Sequence, residues 1–128
     1  PHAGGAGVRS RIDYRLVDAG GRTCWVESKS ATLEEAGTAY FPDAVTARGR
    51  RHVEELQQLV AQGARAAVCF IVQRPDARRL RPQWDRDPAF SAALHRAGQA
   101  GVELYAATVT VTLAGADLAT MIPVETGE

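Results

Sequence analysis

An α/β fold, a mixed β-sheet flanked by helices, is what this sequence predicts. Three observations predict it. Ala66-Ala67-Val68-Cys69-Phe70-Ile71-Val72 is an unbroken apolar run, the mark of a strand covered on both faces. Two amphipathic stretches, opening at Thr46 and at Asp87, carry helix-capping residues and lie on either side of it. Ahead of them, two strand-like segments flank the turn signal Asp18-Ala19-Gly20-Gly21, which reads as an antiparallel hairpin.

Taken in order, residues 1–9 are Gly-rich and read as a loose remnant ahead of one domain spanning 10–128. Ile12 to Val17 alternates in part and reads as a strand, and Thr23 to Ser30 as its partner. A connecting stretch with the turn-like Phe41-Pro42-Asp43 follows. Thr46 is a fitting N-cap for a helix running to about Gln62. Val53, Leu56, Leu59 and Val60 keep its helical period, and Gly63 stops it. After the apolar run comes an Arg-rich loop, 74–86. Asp87-Pro88 then supplies an N-cap and first helical position, Ala93, Leu94 and Ala97 an apolar face, and Gly101 a stop. Val102 to Thr112 is a last strand, and the tail with Leu118 and Ile122 reads as a short edge strand. Each helix is expected to link strands that run parallel.

Composition narrows the function classes. At 128 residues and 13.7 kDa the chain is sized for one domain, and 45% hydrophobic residues suffice for a packed core. No apolar run approaches membrane-spanning length, and Pro1 to Gly7 lacks the basic and apolar regions of a signal peptide. Cys24 and Cys69 sit in apolar segments, which suggests reduced core thiols and a cytoplasmic protein, with nucleoid association as an alternative location. Zinc spacings and a GxxxxGK[ST] loop are absent, so structural zinc and a nucleotide cradle are not expected. Fifteen basic and fifteen acidic residues cancel, so bulk charge does not announce a nucleic-acid binder. Fourteen of the fifteen bases are arginine, and Lys29 stands alone. A compact amine can approach a reacting centre where a planar guanidinium cannot.

Glu27 and Lys29, two apart on one strand, point to the same face. If the turn spans 19–21, Asp18 pairs with Arg22, and counting outward sets Asp13 opposite Glu27. Two carboxylates so placed repel each other unless a cation lies between them. Mg²⁺ (or Mn²⁺), held by Asp13, Glu27 and the Ser28 carbonyl, is the natural solution, with Lys29 beside it to orient water and stabilise charge. A register slip of one residue would abolish that site. The plainer alternative is a same-face Glu27–Lys29 ion pair on an exposed strand.

Other residues converge on the same sheet edge. Gln73 and Arg74 follow the end of the next parallel strand, and the first helix begins Thr46-Ala47-Arg48-Gly49-Arg50-Arg51-His52. Arg48, His52 and Glu55 share a face at helical spacing. Arg48, Arg51, His52, Gln73 and Arg74 are the candidate DNA contacts, against a reading in which the helix arginines simply pair with Glu54 and Glu55. Trp84 either stacks on a base or anchors its loop, and His95 reads as structural.

These letters form a recognisable series. Ser10-Arg11-Ile12-Asp13, Cys24-Trp25-Val26-Glu27-Ser28-Lys29-Ser30, Phe41 to Gly49 with His52 and Glu55-Leu56, Val72 to Asp76, Asp87 to Phe90 and Ala100 to Glu103 resemble, in order, segments of the sugar fermentation stimulation protein A family. The resemblance implies a restriction-endonuclease-like PD-(D/E)xK core, with Asp13, Glu27 and Lys29 on the signature positions. It implies an N-terminal OB-like domain that this sequence lacks, and a DNA-binding protein associated with expression of sugar (maltose) metabolism genes. Two functions are therefore expected as alternatives: a DNA-binding protein with a Mg²⁺-dependent nuclease site, or a catalytically inactive DNA-binding regulator. A protein-interaction domain with no nucleic-acid role is a third, to which the zero net charge lends some support. Departures from the family lie before Ser10, where relatives carry a helix with an acidic residue, and at Ser28, where a hydrophobic residue is usual.

Overall fold

The computed structural model describes residues 14–128. Asp13, Ile12 and the Gly-rich start lie outside the described residues. The main sheet has five strands: β1 (Tyr14–Val17), β2 (Thr23–Ala31), β5 (Arg65–Val72), β7 (Glu103–Thr112) and β8 (Gly115–Ile122), in the order β1-β2-β5-β7-β8. The three central strands run parallel, and β1 and β8 pair antiparallel at the two edges.

The hairpin has the register that counting from its turn predicts. Tyr14 faces Val26 and Val17 faces Thr23, and the turn closes with Asp18 N–H donating to the Arg22 carbonyl at 2.8 Å. Asp18 also accepts from the N–H groups of Gly20 and Arg22, so its side chain stabilises the turn it opens.

Helix α1 (Ala47–Ala61) begins at Thr46, whose hydroxyl accepts from Gly49 N–H at 2.9 Å. Helix α2 (Pro88–Gln99) begins at Asp87, which accepts from Phe90 N–H at 3.0 Å. Both caps are the residues their chemistry nominates. The Asp87 carboxylate has a second duty. Its other oxygen accepts from Thr46 N–H at 2.8 Å, so one buried acid ties the starts of both helices together. Val53 and Leu56 of α1, Phe90, Leu94 and Ala97 of α2, and Val68, Phe70 and Val72 of β5 form one continuous core.

That core corrects one expectation. β5 is fully covered only on its helix side. Cys69 and Ile71, on its other face, are half-buried. Near Cys69 a cavity of about 380 Å³ opens between Leu16, Cys24, Val26, Ala67, Cys69 and Tyr105. Both cysteines are free thiols.

A second correction concerns the stretches read as connection and loop. β3 (Leu33–Glu35), β4 (Thr38–Phe41) and β6 (Arg79–Pro82) form a separate three-stranded sheet in the order β3-β4-β6. β3 and β4 make a tight hairpin through Ala36 and Gly37, both at positive φ. β6 then joins β4 in parallel, from inside the Arg-rich segment. Its alternation is that of a strand: Leu80 and Pro82 are buried while Arg79 and Arg81 face outward. Phe41 packs its ring between Phe70 and Phe90, at 5.4 and 5.2 Å between centroids, and so welds the small sheet to the main core. Among the described residues no helix is long and apolar enough to cross a membrane.

Candidate functional site: a buried carboxylate at the sheet edge

Glu27 and Lys29 alternate with Val26 and Ser28 on β2, which turns both toward α1. The exposed-strand reading therefore fails: Glu27 is only 3% exposed, beneath the helix. The site is completed by a residue that spacing along the strand could not supply. His52 of α1 reaches Glu27 with Nδ1 2.8 Å from Oε2. Lys29 Nζ lies 3.0 Å from the same oxygen and 3.0 Å from His52 Nδ1.

The local fold explains why His52 arrives there. Gly49 lies in the first turn of α1, against its own cap and against α2. A Cβ on Gly49 would come within 2.9 Å of the Thr46 side chain and 3.4 Å of the Phe90 ring. Its absence lets the helix settle closely, and the Asp87–Thr46 bond fixes where the helix starts. The first two turns of α1 then set His52 over β2.

Burial pushes the His52 imidazolium down from its ordinary pKa, and the charge on Lys29 pushes the same way, while Glu27 opposes both. The ring is thus held toward its neutral form. Nδ1 faces two groups with opposite demands: as N–H it donates to Glu27 Oε2 at 2.8 Å, and as a bare nitrogen it accepts from the Lys29 ammonium at 3.0 Å. The shorter contact is the one to Glu27, and in that tautomer Glu27 Oε2 accepts from both His52 and Lys29 while His52 Nε2 is a bare acceptor.

Two atoms of the cluster have no hydrogen-bond partner among the described residues: Glu27 Oε1 and His52 Nε2. A buried carboxylate oxygen that receives no donor is costly in a folded protein. It is also the donor type that a hard divalent cation takes. Glu27 Oε1 is therefore suited to be one ligand of a divalent ion. Among the described residues no group of three or more His, Cys, Asp and Glu is placed to hold a metal ion. Asp13, the second carboxylate of the sequence reading, lies outside those residues.

The remaining candidates separate into two kinds. Arg48 and Arg51, both exposed, make no ion pair or side-chain hydrogen bond with another described residue. The reading that pairs the helix arginines with Glu54 and Glu55 holds only for Arg50, which sits 3.7 Å from Glu54. Glu55 Oε1 is buried without a hydrogen bond among the described residues. Arg74 is tethered, 3.0 Å from Glu34 and 3.9 Å from Asp76. Gln73 closes the sheet edge, with its backbone N–H on the Ala31 carbonyl and its side chain on Ser30 Oγ at 3.0 Å. Ser28 lies on the strand face opposite Glu27 and Lys29, half-buried.

Spacing along the helix groups His52 with the DNA contacts. At 3% exposure it does not belong to the same surface as Arg48 and Arg51. The signal that could have found its place was the buried side of α1: His52 and Val53 precede Leu56 on the face that meets the sheet. Trp84 donates to the Thr126 carbonyl at 3.2 Å, and His95 contacts Thr126 Oγ1 at 2.8 Å, so both hold the tail in place.

Comparison with known proteins agrees with this architecture. Residues 6–115 match the family model described as the sugar fermentation stimulation protein RE domain. A sugar fermentation stimulation protein homolog of Moorella thermoacetica is 52% identical over 97 residues, covering 76% of this chain and 42% of that protein. One from Geobacter sulfurreducens is 45% identical over 122 residues, covering 95% of this chain and 52% of that protein. The chain spans about half the length of the curated relatives it matches. Among solved structures, Pyrococcus furiosus SfsA in complex with Ca²⁺ superposes with a TM-score of 0.86 at 35% identity, over 92% of this chain and 51% of that one. The α/β core is restriction-endonuclease-like.

Proposed function

The chain belongs to the sugar fermentation stimulation protein family, and from that premise we propose that it is a DNA-binding protein whose Glu27 site hydrolyses phosphodiester bonds with a divalent cation. One observation carries the reading: Glu27 is buried with one oxygen anchored by Lys29 and His52 and the other without a partner among the described residues. An ordinary strand ion pair has no reason to bury a half-satisfied carboxylate. Pyrococcus furiosus SfsA was solved in complex with Ca²⁺, a hard divalent cation, which supports this reading.

In this proposal Glu27 Oε1, Asp13 and the Ser28 carbonyl would hold Mg²⁺ or Mn²⁺. Such an ion supplies Lewis-acid polarisation and neutralises charge at a phosphodiester. Lys29, 12% exposed, is the one cation of the cluster open to the edge of the site. Its ammonium would stabilise the negative charge that grows on the phosphoryl oxygens. Arg48 and Arg51, with no acidic partner to release among the described residues, would contact backbone phosphates, and Gln73 and Arg74 extend the same edge.

Calorimetric titration of Mg²⁺ and Mn²⁺ into metal-free protein tests this, with Glu27→Gln as control. Binding that vanishes in Glu27→Gln is the expected result, followed by metal-dependent cleavage of supercoiled or single-stranded DNA. No binding at millimolar metal would overturn the ion site. The second reading, an inactive DNA-binding regulator of sugar (maltose) metabolism genes, is favoured by the Lys29 ammonium 3.0 Å from Glu27, which balances the buried carboxylate without a metal ion. It expects salt-dependent DNA binding with no cleavage in any metal.

A further inference from the structure

The geometry points to a role for His52 beyond that of a core residue: we infer that it is the positioning residue of Glu27, holding Oε2 through Nδ1–H so that Oε1 is presented to the cation. The inference rests on the proposed ion site and says how the protein builds it. Three observations carry it. His52 and Glu27 are each 3% exposed, so their contact is shielded from water. The shortest polar contact of the cluster, 2.8 Å, is His52 Nδ1 to Glu27 Oε2. The two atoms pointing away from that contact, Glu27 Oε1 and His52 Nε2, are both buried without a partner among the described residues, a state shared by Glu55 Oε1.

Lys29 alone does not fix this arrangement. An ammonium on a flexible stem can donate to either carboxylate oxygen and follow the group as it rotates. A ring on a packed helix cannot follow. Gly49 and the Asp87–Thr46 bond set the start of α1, so the position of Nδ1 is determined by the helix rather than by the side chain. With the ring in place, rotating the carboxylate would break the 2.8 Å bond. Partners that orient a metal-carrying group in this way usually matter about 10- to 100-fold for metal affinity.

The test separates the two ring nitrogens. Asparagine places an amide N–H near the position of Nδ1, whereas glutamine places its amide near Nε2 and leucine places nothing. Mn²⁺ affinity of the protein, read by electron paramagnetic resonance, should fall about 10- to 100-fold in His52→Leu and His52→Gln. It should stay within about threefold of wild type in His52→Asn, the scatter expected for a single interaction. Thermal melts of all variants are taken alongside. A purely structural His52 would make affinity track melting temperature, which would overturn the inference. Equal loss in Asn, Gln and Leu at matched stability would overturn it as well. Long-range ¹H–¹⁵N spectra of metal-free protein give an independent readout that needs no variant: Nδ1 protonated and Nε2 bare is expected, and the opposite tautomer would refute the hydrogen bond. Wild-type protein that binds no Mn²⁺ would instead bring down the ion site itself, and the inference with it.

Discussion

If α1 presents the DNA-binding edge, replacing Arg48 and Arg51 together by alanine should flatten the salt dependence of binding. Neither side chain has an acidic partner among the described residues to re-form when DNA leaves, so each should count as about one phosphate contact. Each contact contributes about 0.9 to the slope of log affinity against log salt, so the double variant should lose about 1.8. Between about 50 and 200 mM salt, a fourfold change, that corresponds to about 12-fold less weakening than in wild type. Arg74→Ala should lose less than about 0.9, because Glu34 and Asp76 already neutralise part of that guanidinium. Arg22, next to Asp18 at the opposite end of β2, serves as the charge control, and Arg22→Ala should leave the slope unchanged. Fluorescence anisotropy of a labelled duplex, without divalent metal so that cleavage does not intervene, reads all of these. A double variant with the wild-type slope, or an Arg22→Ala slope that falls as far as that of the double variant, would refute the assignment of this edge.

Two further outcomes follow from the helix starts and the sheet. Asp87→Ala removes an acceptor from both Phe90 N–H and Thr46 N–H. Charge-assisted bonds of this kind are worth about 1.5–3 kcal/mol each, offset by no longer burying a carboxylate, so a net loss of about 2–3 kcal/mol is expected in urea unfolding. A loss under about 1 kcal/mol would mean that the two helix starts are held by something else. Glu103 has its carboxyl held below its ordinary pKa, first by the bidentate hydrogen bonds of Arg65 and then by the Tyr105 hydroxyl. A folded pKa below the unfolded one gives stability that is present above the unfolded value and lost as pH falls through the folded one. Glu103→Gln should therefore be less stable than wild type at neutral pH, with the gap closing as pH falls through and below the ordinary glutamate range. A gap that does not change with pH would show that the carboxyl's charge contributes nothing.

The sequence by itself determined whatever rests on near neighbours. Thr46 and Asp87 announce their helices because a cap acts within three residues. The β1–β2 register follows from the turn because the pleat repeats every two residues. Glu27 and Lys29 share a face for the same reason. What the sequence left undecided needed segments far apart in the chain. β6 pairs with β4 across some forty residues, and its two buried positions, Leu80 and Pro82, are masked by the arginines between and around them. Arg74 reads as a free cation until Glu34 is brought beside it from another sheet. His52 reads as a surface residue among arginines until α1 packs down and sets it over Glu27. Capping and alternation are short-range and legible in order, whereas the partner of a buried charge is chosen by packing. That choice is made only when α1, β2 and the Asp87 tie between the helices come together, and it turned a Glu-x-Lys pair into a three-residue site.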